Sequence, residues 1–301
     1  MKKTKILFFG YSSFLKRRII PSIKRNDKIE YFICSKSQKR NTKEKVLFND
    51  YLQSLKVVNP DLVYISLINS LHFKYAKILI KKGFNVIVDK PIALMFRQSK
   101  ELVSLAKKKN LFLAEATLFN YHKVFDRMLN LSSGKKNIKM IQSYFHIPVK
   151  YLKNADCEED MSPYAAAIIR LFTNKKIISL KVHKDYFKNT KSVKSFKILV
   201  NFKNCTYFGS FSRAREYKSE IIFFTKNKEI NSPKRIFALP YENLKISLKK
   251  NNKYSLIKII KDDQINNFFN IVIKSLKNKR FNFFYNTILE DAKVRKKINQ
   301  F

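Results

Sequence analysis

Apolar positions fall along this chain in two kinds of block, and the change from one kind to the other divides it. Over the first 120 residues the blocks are short and nearly continuous, at 5–9, 29–34, 62–67, 85–88 and 111–117. Runs of this length, rich in β-branched and aromatic residues, suit strands buried on both faces of a parallel sheet. Helices are predicted between them. Residues 15–24 follow the first strand, and in 72–82 Phe73, Ala76, Ile78, Leu79 and Ile80 mark one side while four lysines cover the rest and Gly83 fits the C-terminal cap. Past residue 120 the candidate strands lengthen, and several alternate apolar with polar: 138–149, 177–188, 196–202, 206–211, 219–225 and 244–248. Helices are expected near 163–173, 262–276 and 287–299, and 227–235 reads as a loop. The pattern predicts an α/β domain over 1–120 with a doubly wound parallel sheet. An α+β domain over 121–301 follows, a mostly antiparallel open sheet with helices on one face, and helix 287–299 is a candidate to pack back on the first domain.

In open α/β sheets ligands bind outside the carboxyl ends of the strands, which brings Asn69, His72, Asp89 and Lys90 to one crevice. Pro91 fixes the backbone after the lysine and restricts Lys90 toward extended geometry, aiming its side chain. The turn after the first strand, Gly10-Tyr11-Ser12-Ser13-Phe14-Leu15, keeps one glycine of the dinucleotide fingerprint. Ser12 is small enough to leave the backbone accessible and could donate a hydroxyl hydrogen bond to a phosphate; Leu15 stands where the third glycine is expected. Gly10, Ser12, Ser13 and Phe14 are therefore cofactor-binding candidates. The second strand ends in Ser35-Lys36-Ser37, with Lys39 and Arg40 beyond, where NAD-binding folds place an acidic residue on the ribose 2′-hydroxyl. A Ser-Lys-Ser there suits a 2′-phosphate, so NADP(H) is favoured over NAD(H).

The order of turn, helix, strand and lysine resembles the Gfo/Idh/MocA oxidoreductases, the glucose-fructose oxidoreductase and inositol dehydrogenase family. Their nucleotide domain carries a Thr-Pro-Asn-x-x-His turn and then Glu-Lys-Pro. Here the turn reads Leu67-Ile68-Asn69-Ser70-Leu71-His72 and the motif Asp89-Lys90-Pro91, so Asn and His match, Thr and Pro do not, and Glu has become Asp. Leu118 to His122 is similar to the family's Arg-Phe-His-Pro segment, which implies that His122 lines the cleft. Asp160-Met161-Ser162-Pro163-Tyr164 resembles its Asp-x-Gly-x-His/Tyr motif; Ser162 replaces the glycine, and 154–159 replace the glycine-rich run before it. Four residues apart, Asp160 and Tyr164 share a helix face if the helix begins near Asp160.

The resemblance implies a Rossmann domain followed by an open-sheet domain, and hydride transfer between nicotinamide and a hydroxyl or carbonyl of a sugar, nucleotide sugar or polyol. Lys90 then holds the substrate oxygen, Tyr164 serves as acid/base, and Asp160 accepts a substrate hydroxyl or relays its proton. Structural roles stand beside these: a core tyrosine for Tyr164 and a helix N-cap for Asp160. The family's usual dimer surface is the exposed face of the second sheet, and with 27 Phe in the chain a homodimer is expected. Two other readings stay open, a relative that has kept the fold and lost turnover, acting as a ligand-binding or scaffold protein, and a basic nucleic-acid-binding protein.

The net charge of +41, from 63 basic and 22 acidic residues, brings nucleic acid into view. Lysines are scattered over nearly every predicted element, and no RNP sequence, zinc finger or helix-turn-helix signature occurs. Compositional bias explains the charge without a specific nucleic-acid partner, although such a field attracts phosphorylated cofactors. His72, His122, His146 and His183 pair with no other histidine or cysteine at metal-ligand spacing, and no metal is expected. Cys34, Cys157 and Cys205 are odd in number and far apart, which suits a reducing compartment and predicts a cytoplasmic protein. No apolar run reaches membrane-spanning length. The basic start resembles a signal peptide, but its apolar stretch covers only 6–9 and is read as the first strand.

Overall fold

In the computed structural model, which describes residues 2–36, 46–148, 156–173 and 176–301, the short apolar runs pair side by side as parallel strands. β1 (Thr4–Phe9), β2 (Ile29–Cys34), β3 (Val46–Phe48), β4 (Leu62–Ile65), β5 (Val86–Asp89) and β6 (Leu113–Ala116) form one sheet in the order β3-β2-β1-β4-β5-β6. Every pairing in it is parallel. Ile6 to Phe9, all of β4 and Val86 to Val88 are fully buried, as strands covered on both faces must be. Strand order reverses between β1 and β4, the topological switch point where such sheets bind ligands.

Four helical segments alternate with these strands. The first is π-helical over Leu15–Ile19 and continues as α1 (Ile20–Ile23); α2 (Tyr51–Val58), α3 (Asn69–Lys81) and α4 (Phe96–Lys108) follow. The sequence pattern did not separate α2 and α4 from their surroundings. α3 starts three residues earlier than predicted, so Asn69 and His72 sit in its first turn. The same unit takes in α7 (Gln264–Asn278) and the start of α8 (Asn282–Ile298), because it comprises residues 1–118 and 265–292. Phe281 and Phe284 set their edges on Phe112, and the Tyr285 hydroxyl donates to the Leu111 carbonyl at 2.5 Å.

The second unit, residues 119–264 and 293–301, is built on an eight-stranded sheet. Its strands are β7 (Met140–His146), β8 (Ser179–Tyr186), β9 (Val193–Asn201), β10 (Thr206–Ser212), β11 (Lys218–Phe224), β12 (Lys228–Asn231), β13 (Leu244–Lys250) and β14 (Lys253–Ile259), in the order β14-β13-β12-β11-β7-β10-β9-β8. All pairs are antiparallel except β7 with β10. α5 (Val124–Leu131) and α6 (Cys157–Phe172) contribute to its core, where Phe125, Met161, Ile168, Ile169 and Phe172 join Ile141, Phe196, Phe211 and Phe223. The loop expected over 227–235 contains β12, whose turn is held by the Lys228 N–H on Thr225 Oγ1 at 3.0 Å. Only Ile230 of that strand is buried, too little to register as a pattern. α6 begins at Cys157 and runs through Pro163, six residues ahead of the predicted start.

Candidate functional site

The switch point is organised around Gly10. Its φ is +94°, its N–H donates to the Cys34 carbonyl at 2.8 Å, and a Cβ placed there would lie 2.3 Å from the Ser66 carbonyl oxygen. Glycine meets both demands, the positive φ and the close backbone approach. Ser12 Oγ then accepts the Leu15 N–H at 3.1 Å and lies 2.7 Å from Ser66 Oγ. The chain is helical from Ser13, and Leu15 is completely buried where a third glycine would allow helix and strand to close up. The helix takes π geometry over those residues, a local widening often found at functional sites.

On the neighbouring strands the predicted lysine is held from both sides. Asp89, at the end of β5, accepts the Tyr64 hydroxyl on one carboxylate oxygen and the Ser66 hydroxyl on the other, the latter at 2.9 Å. Burial raises the Asp89 carboxyl, while the hydrogen bond from Tyr64, the His72 charge, Ser66 and Lys90 pull it back. The Tyr64 phenol is pushed well above its ordinary range by burial and by the carboxylate beside it. After Lys90, which is half-buried, the Pro91 carbonyl meets His72 Nδ1 at 2.7 Å, and the Ile92 N–H donates to Glu115 Oε2 at 2.7 Å. His72 Nε2 faces the Leu67 carbonyl at 3.0 Å, and the ring is fully buried. His72 is thus a tie between the Asn-x-x-His turn and the lysine loop, with no face toward a ligand. The Lys90–Pro91 peptide is cis.

At the end of β2, Ser35 is buried and Lys36 is exposed, its ammonium 5.5 Å from the Tyr51 ring centre. Ser37 lies outside the described residues. A carboxylate that the sequence pattern did not bring to this edge, Asp50, caps α2 through the Gln53 N–H at 2.7 Å and stands near enough to Cys34 to raise its thiol. Burial is the larger cause, and the thiol reaches about 11. At the opposite, amino-terminal end of the sheet, a groove lined by Lys3, Thr4, Asp61, Asn85 and Leu111 holds none of the predicted site residues.

In the second unit the start of α6 gathers four carboxylates, Asp156, Glu158, Glu159 and Asp160. Asp156 is the N-cap, accepting the Glu158 and Glu159 N–H groups at 2.8 and 3.0 Å, and its other oxygen takes the Val193 N–H of β9 at 2.8 Å. The cap is therefore not Asp160, whose own N–H donates to the Asp156 carbonyl at 3.2 Å inside the helix. Glu158 pairs with Lys184 of β8 at 2.6 Å, and Asp160 pairs with the Arg213 guanidinium just past β10. Arg213 is 3% exposed, and its Nε and Nη1 are buried without acceptors. One turn after Asp160, Tyr164 packs among Phe119, Phe145 and Phe237 at ring-centre distances of 5.5, 5.0 and 5.0 Å. His122 is buried: Nδ1 accepts the Val124 N–H at 3.0 Å, burial holds its pKa below the usual range, and Nε2 has no partner. The ring expected to line the cleft is 2% exposed.

A parallel sheet of this order, with a glycine turn at the switch point and a lysine two strands away, is a doubly wound α/β fold of the Rossmann type. Residues 4–117 match the family model described as an oxidoreductase family with an NAD-binding Rossmann fold, GFO_IDH_MocA. Over 104 residues the chain is 29% identical to trans-1,2-dihydrobenzene-1,2-diol dehydrogenase of Xenopus laevis, covering 34% of this chain and 32% of that protein. A 74-residue stretch is 32% identical to D-xylose 1-dehydrogenase (NADP(+)) of Hypocrea jecorina, 25% of this chain and 19% of that one. The chain thus aligns with about a third or less of the length of these curated relatives. Similarity of fold extends much further. A 3-ketoreductase of Actinomadura kijaniata, solved with TDP-benzene and NADP in an open conformation, superposes with a TM-score of 0.89 at 16% identity, covering 99% of this chain and 97% of that one. UDP-N-acetylglucosamine 3-dehydrogenase of Acidithiobacillus ferrooxidans gives 0.78 at 13% identity, over 100% and 97% of the two chains.

Proposed function

We propose that this protein is an NAD(P)-dependent oxidoreductase, preferring NADP(H), that acts on a CH–OH or carbonyl group of a sugar, nucleotide sugar or related polyol. The observation that carries the reading is the bracing of Lys90. His72 and Glu115 hold the main chain just after it, and the Asp89 side chain just before it is anchored by Tyr64 and Ser66, at the same end of the sheet as the Gly10 turn. A lysine restrained in this way is suited to holding a substrate oxygen in one place and stabilising negative charge on it. The nucleotide fits the turn: Gly10 leaves its backbone open, and the first N–H groups of the helix after it have no intrahelical partner. When bound, the nicotinamide supplies the hydride acceptor or donor. We assign Tyr164 as the proton donor and acceptor, Asp160 as its companion one turn earlier, and Ser35 and Lys36 to the adenosine ribose side. Among the described residues at this edge, Asp50 is engaged as a helix cap and Lys36 is exposed to solvent.

The homodimer is proposed from the second sheet, whose face turned away from α6 carries half-exposed Tyr144, Phe208, Ile222 and Phe224 and exposed Leu199. Size-exclusion chromatography with light scattering tests it. A cytoplasmic location is proposed from the three free thiols, all raised by burial to about 11 or 12. No helix among the described residues is long and apolar enough to cross a membrane.

Fluorescence titration with NADPH and NADH tests the main reading, and the chain holds no Trp to interfere. NADPH should bind more tightly, and Lys36→Glu should remove that preference while leaving NADH binding nearly unchanged. With binding in hand, turnover on a panel of sugars and nucleotide sugars should be lost in Lys90→Ala and Tyr164→Phe. Saturable binding with no turnover on any of them would transfer support to a ligand-binding relative without catalysis.

A further inference from the structure

Three polar side chains, Ser12, Ser66 and Asp89, link the turn after β1 to the residue before Lys90, and the direction of the link follows from their chemistry. Both Asp89 oxygens act as acceptors: Tyr64 donates to one and Ser66 to the other at 2.9 Å. A serine has one hydroxyl proton. With that proton given to Asp89, Ser66 Oγ faces Ser12 Oγ, 2.7 Å away, as an acceptor, and Ser12 must donate. Ser12 in turn accepts the Leu15 N–H at 3.1 Å. The chain therefore runs one way: Leu15 N–H to Ser12, Ser12 to Ser66, Ser66 to Asp89. Its consequence for Ser12 is specific, since the single proton that could reach a phosphate is already used inside the protein.

We propose that Ser66 is a positioning residue that couples the nucleotide-binding turn to the Asp89-Lys90 segment, and that Ser12 serves the cofactor through Ser66 with no hydrogen bond of its own to phosphate. This rests on the nucleotide site proposed above. The link lies beside the position of the fingerprint's third glycine, where Leu15 is fully buried here. It also ties the strands on both sides of the switch point, because Ser66 follows β4, Asp89 ends β5 and Ser12 follows β1. Ser66 is 2% exposed and Ser12 half-buried, so the bond is shielded from solvent on the Ser66 side. Neither serine is identifiable as a partner of the other from sequence, at a separation of 54 residues.

The test is NADPH titration of the full chain as wild type, Ser12→Ala, Ser66→Ala, Ser66→Thr and the Ser12→Ala/Ser66→Ala double variant, with far-UV circular dichroism on each. The expected result is a five- to twentyfold weaker Kd for each alanine variant, little further loss in the double variant, and substantial recovery in Ser66→Thr, which keeps the hydroxyl. Direct phosphate contact by Ser12 predicts another pattern: Ser12→Ala weakens binding, Ser66→Ala leaves it unchanged or improves it by freeing the Ser12 proton, and the double variant equals Ser12→Ala. That pattern overturns the coupling while the nucleotide site stands. Full additivity in the double variant also overturns it. Absence of NADPH and NADH binding by the wild-type protein overturns the nucleotide site and the coupling together.

Discussion

Gly10→Ala is the perturbation whose effect the structure specifies most closely. Two separate costs meet at that position. A non-glycine residue held at φ +94° carries backbone strain of about 1–3 kcal/mol. The added methyl also stands 2.3 Å from the Ser66 carbonyl oxygen and 2.9 Å from a Leu67 methyl, and since the nearest atom is backbone, the strands on either side must part. Overpacking of that kind costs about 1–3 kcal/mol more. Gly83 and Gly134 provide internal controls: their φ values are +91° and +93°, and nothing lies within 4 Å of an added Cβ at either. Alanine there incurs the strain alone. In urea denaturation followed by circular dichroism, Gly10→Ala should therefore lose about 1–3 kcal/mol more than Gly83→Ala or Gly134→Ala. It should also lose NADPH binding, which the controls keep. Equal destabilisation by all three variants would refute the reasoning, because it would mean the turn yields to the methyl without opening the strand junction.

Three further outcomes follow from the second unit. Removing Arg213 as Arg213→Met or Asp160 as Asp160→Asn should each cost about 3–5 kcal/mol, with the double variant less damaging than either sum, since breaking one partner of a buried pair strands the other; a urea double-mutant cycle reads this. Asp156→Ala should cost about 1–2 kcal/mol and expose the Glu158, Glu159 and Val193 amides to faster hydrogen exchange. His146 is buried against Ser210, and burial together with Arg215 and Lys218 lowers its pKa from 6.5 to about 4. With the folded pKa depressed, the stabilising effect of a neutral His146 is complete above 6.5 and is lost as pH falls toward 4. At about 1.4 kcal/mol per pH unit that interval amounts to roughly 3 kcal/mol, and His146→Phe should flatten the fall in urea midpoint between pH 7 and 4.5.

What could be read in the chain depended on how one-sided each element is. β1, β4 and β5 are buried on both faces, so their composition leaves little choice, and they were read to within a residue or two. β14 exposes Tyr254 and Leu256, with only Ile259 buried, so neither period nor polarity separates it from a loop. The start of α6 was hidden because its cap and first turn, Asp156 to Asp160, look like a solvated acidic stretch, while Pro163 suggests a later beginning. Lys90, Asp89 and His72 were legible as a spaced motif. The groups that hold them were not: Tyr64 and Glu115 are single polar-capable residues inside apolar strands, and the buried glutamate of Leu-Ala-Glu-Ala was the one signal that could have been weighed. Arg213 had no signal at all among 63 basic residues, and only the fold shows it buried against Asp160.

The scarcity of carboxylates in a chain with 22 acidic and 63 basic residues bears on how the proposed site works. Asp50, Asp61, Glu115, Asp156 and Asp262 all accept main-chain N–H groups, so their charge is spent holding the backbone. Asp89 and Asp160 differ in kind: each meets buried side-chain donors and stands beside a residue assigned to chemistry, Lys90 one position on and Tyr164 one turn on. The local charge around those two residues is then set by short-range buried partners, whereas the attraction of a phosphorylated cofactor comes from the long-range field of the whole +41 surface. Salt screens the second and barely touches the first, since the Debye length falls from about 10 Å at 0.1 M to about 3 Å at 1 M. Raising salt from 0.05 to 0.5 M should accordingly weaken NADPH binding severalfold and leave kcat at saturating cofactor within about twofold. A kcat that fell in step with the binding constant would show that surface lysines, rather than the braced pair of carboxylates, set the electrostatics of the reacting groups.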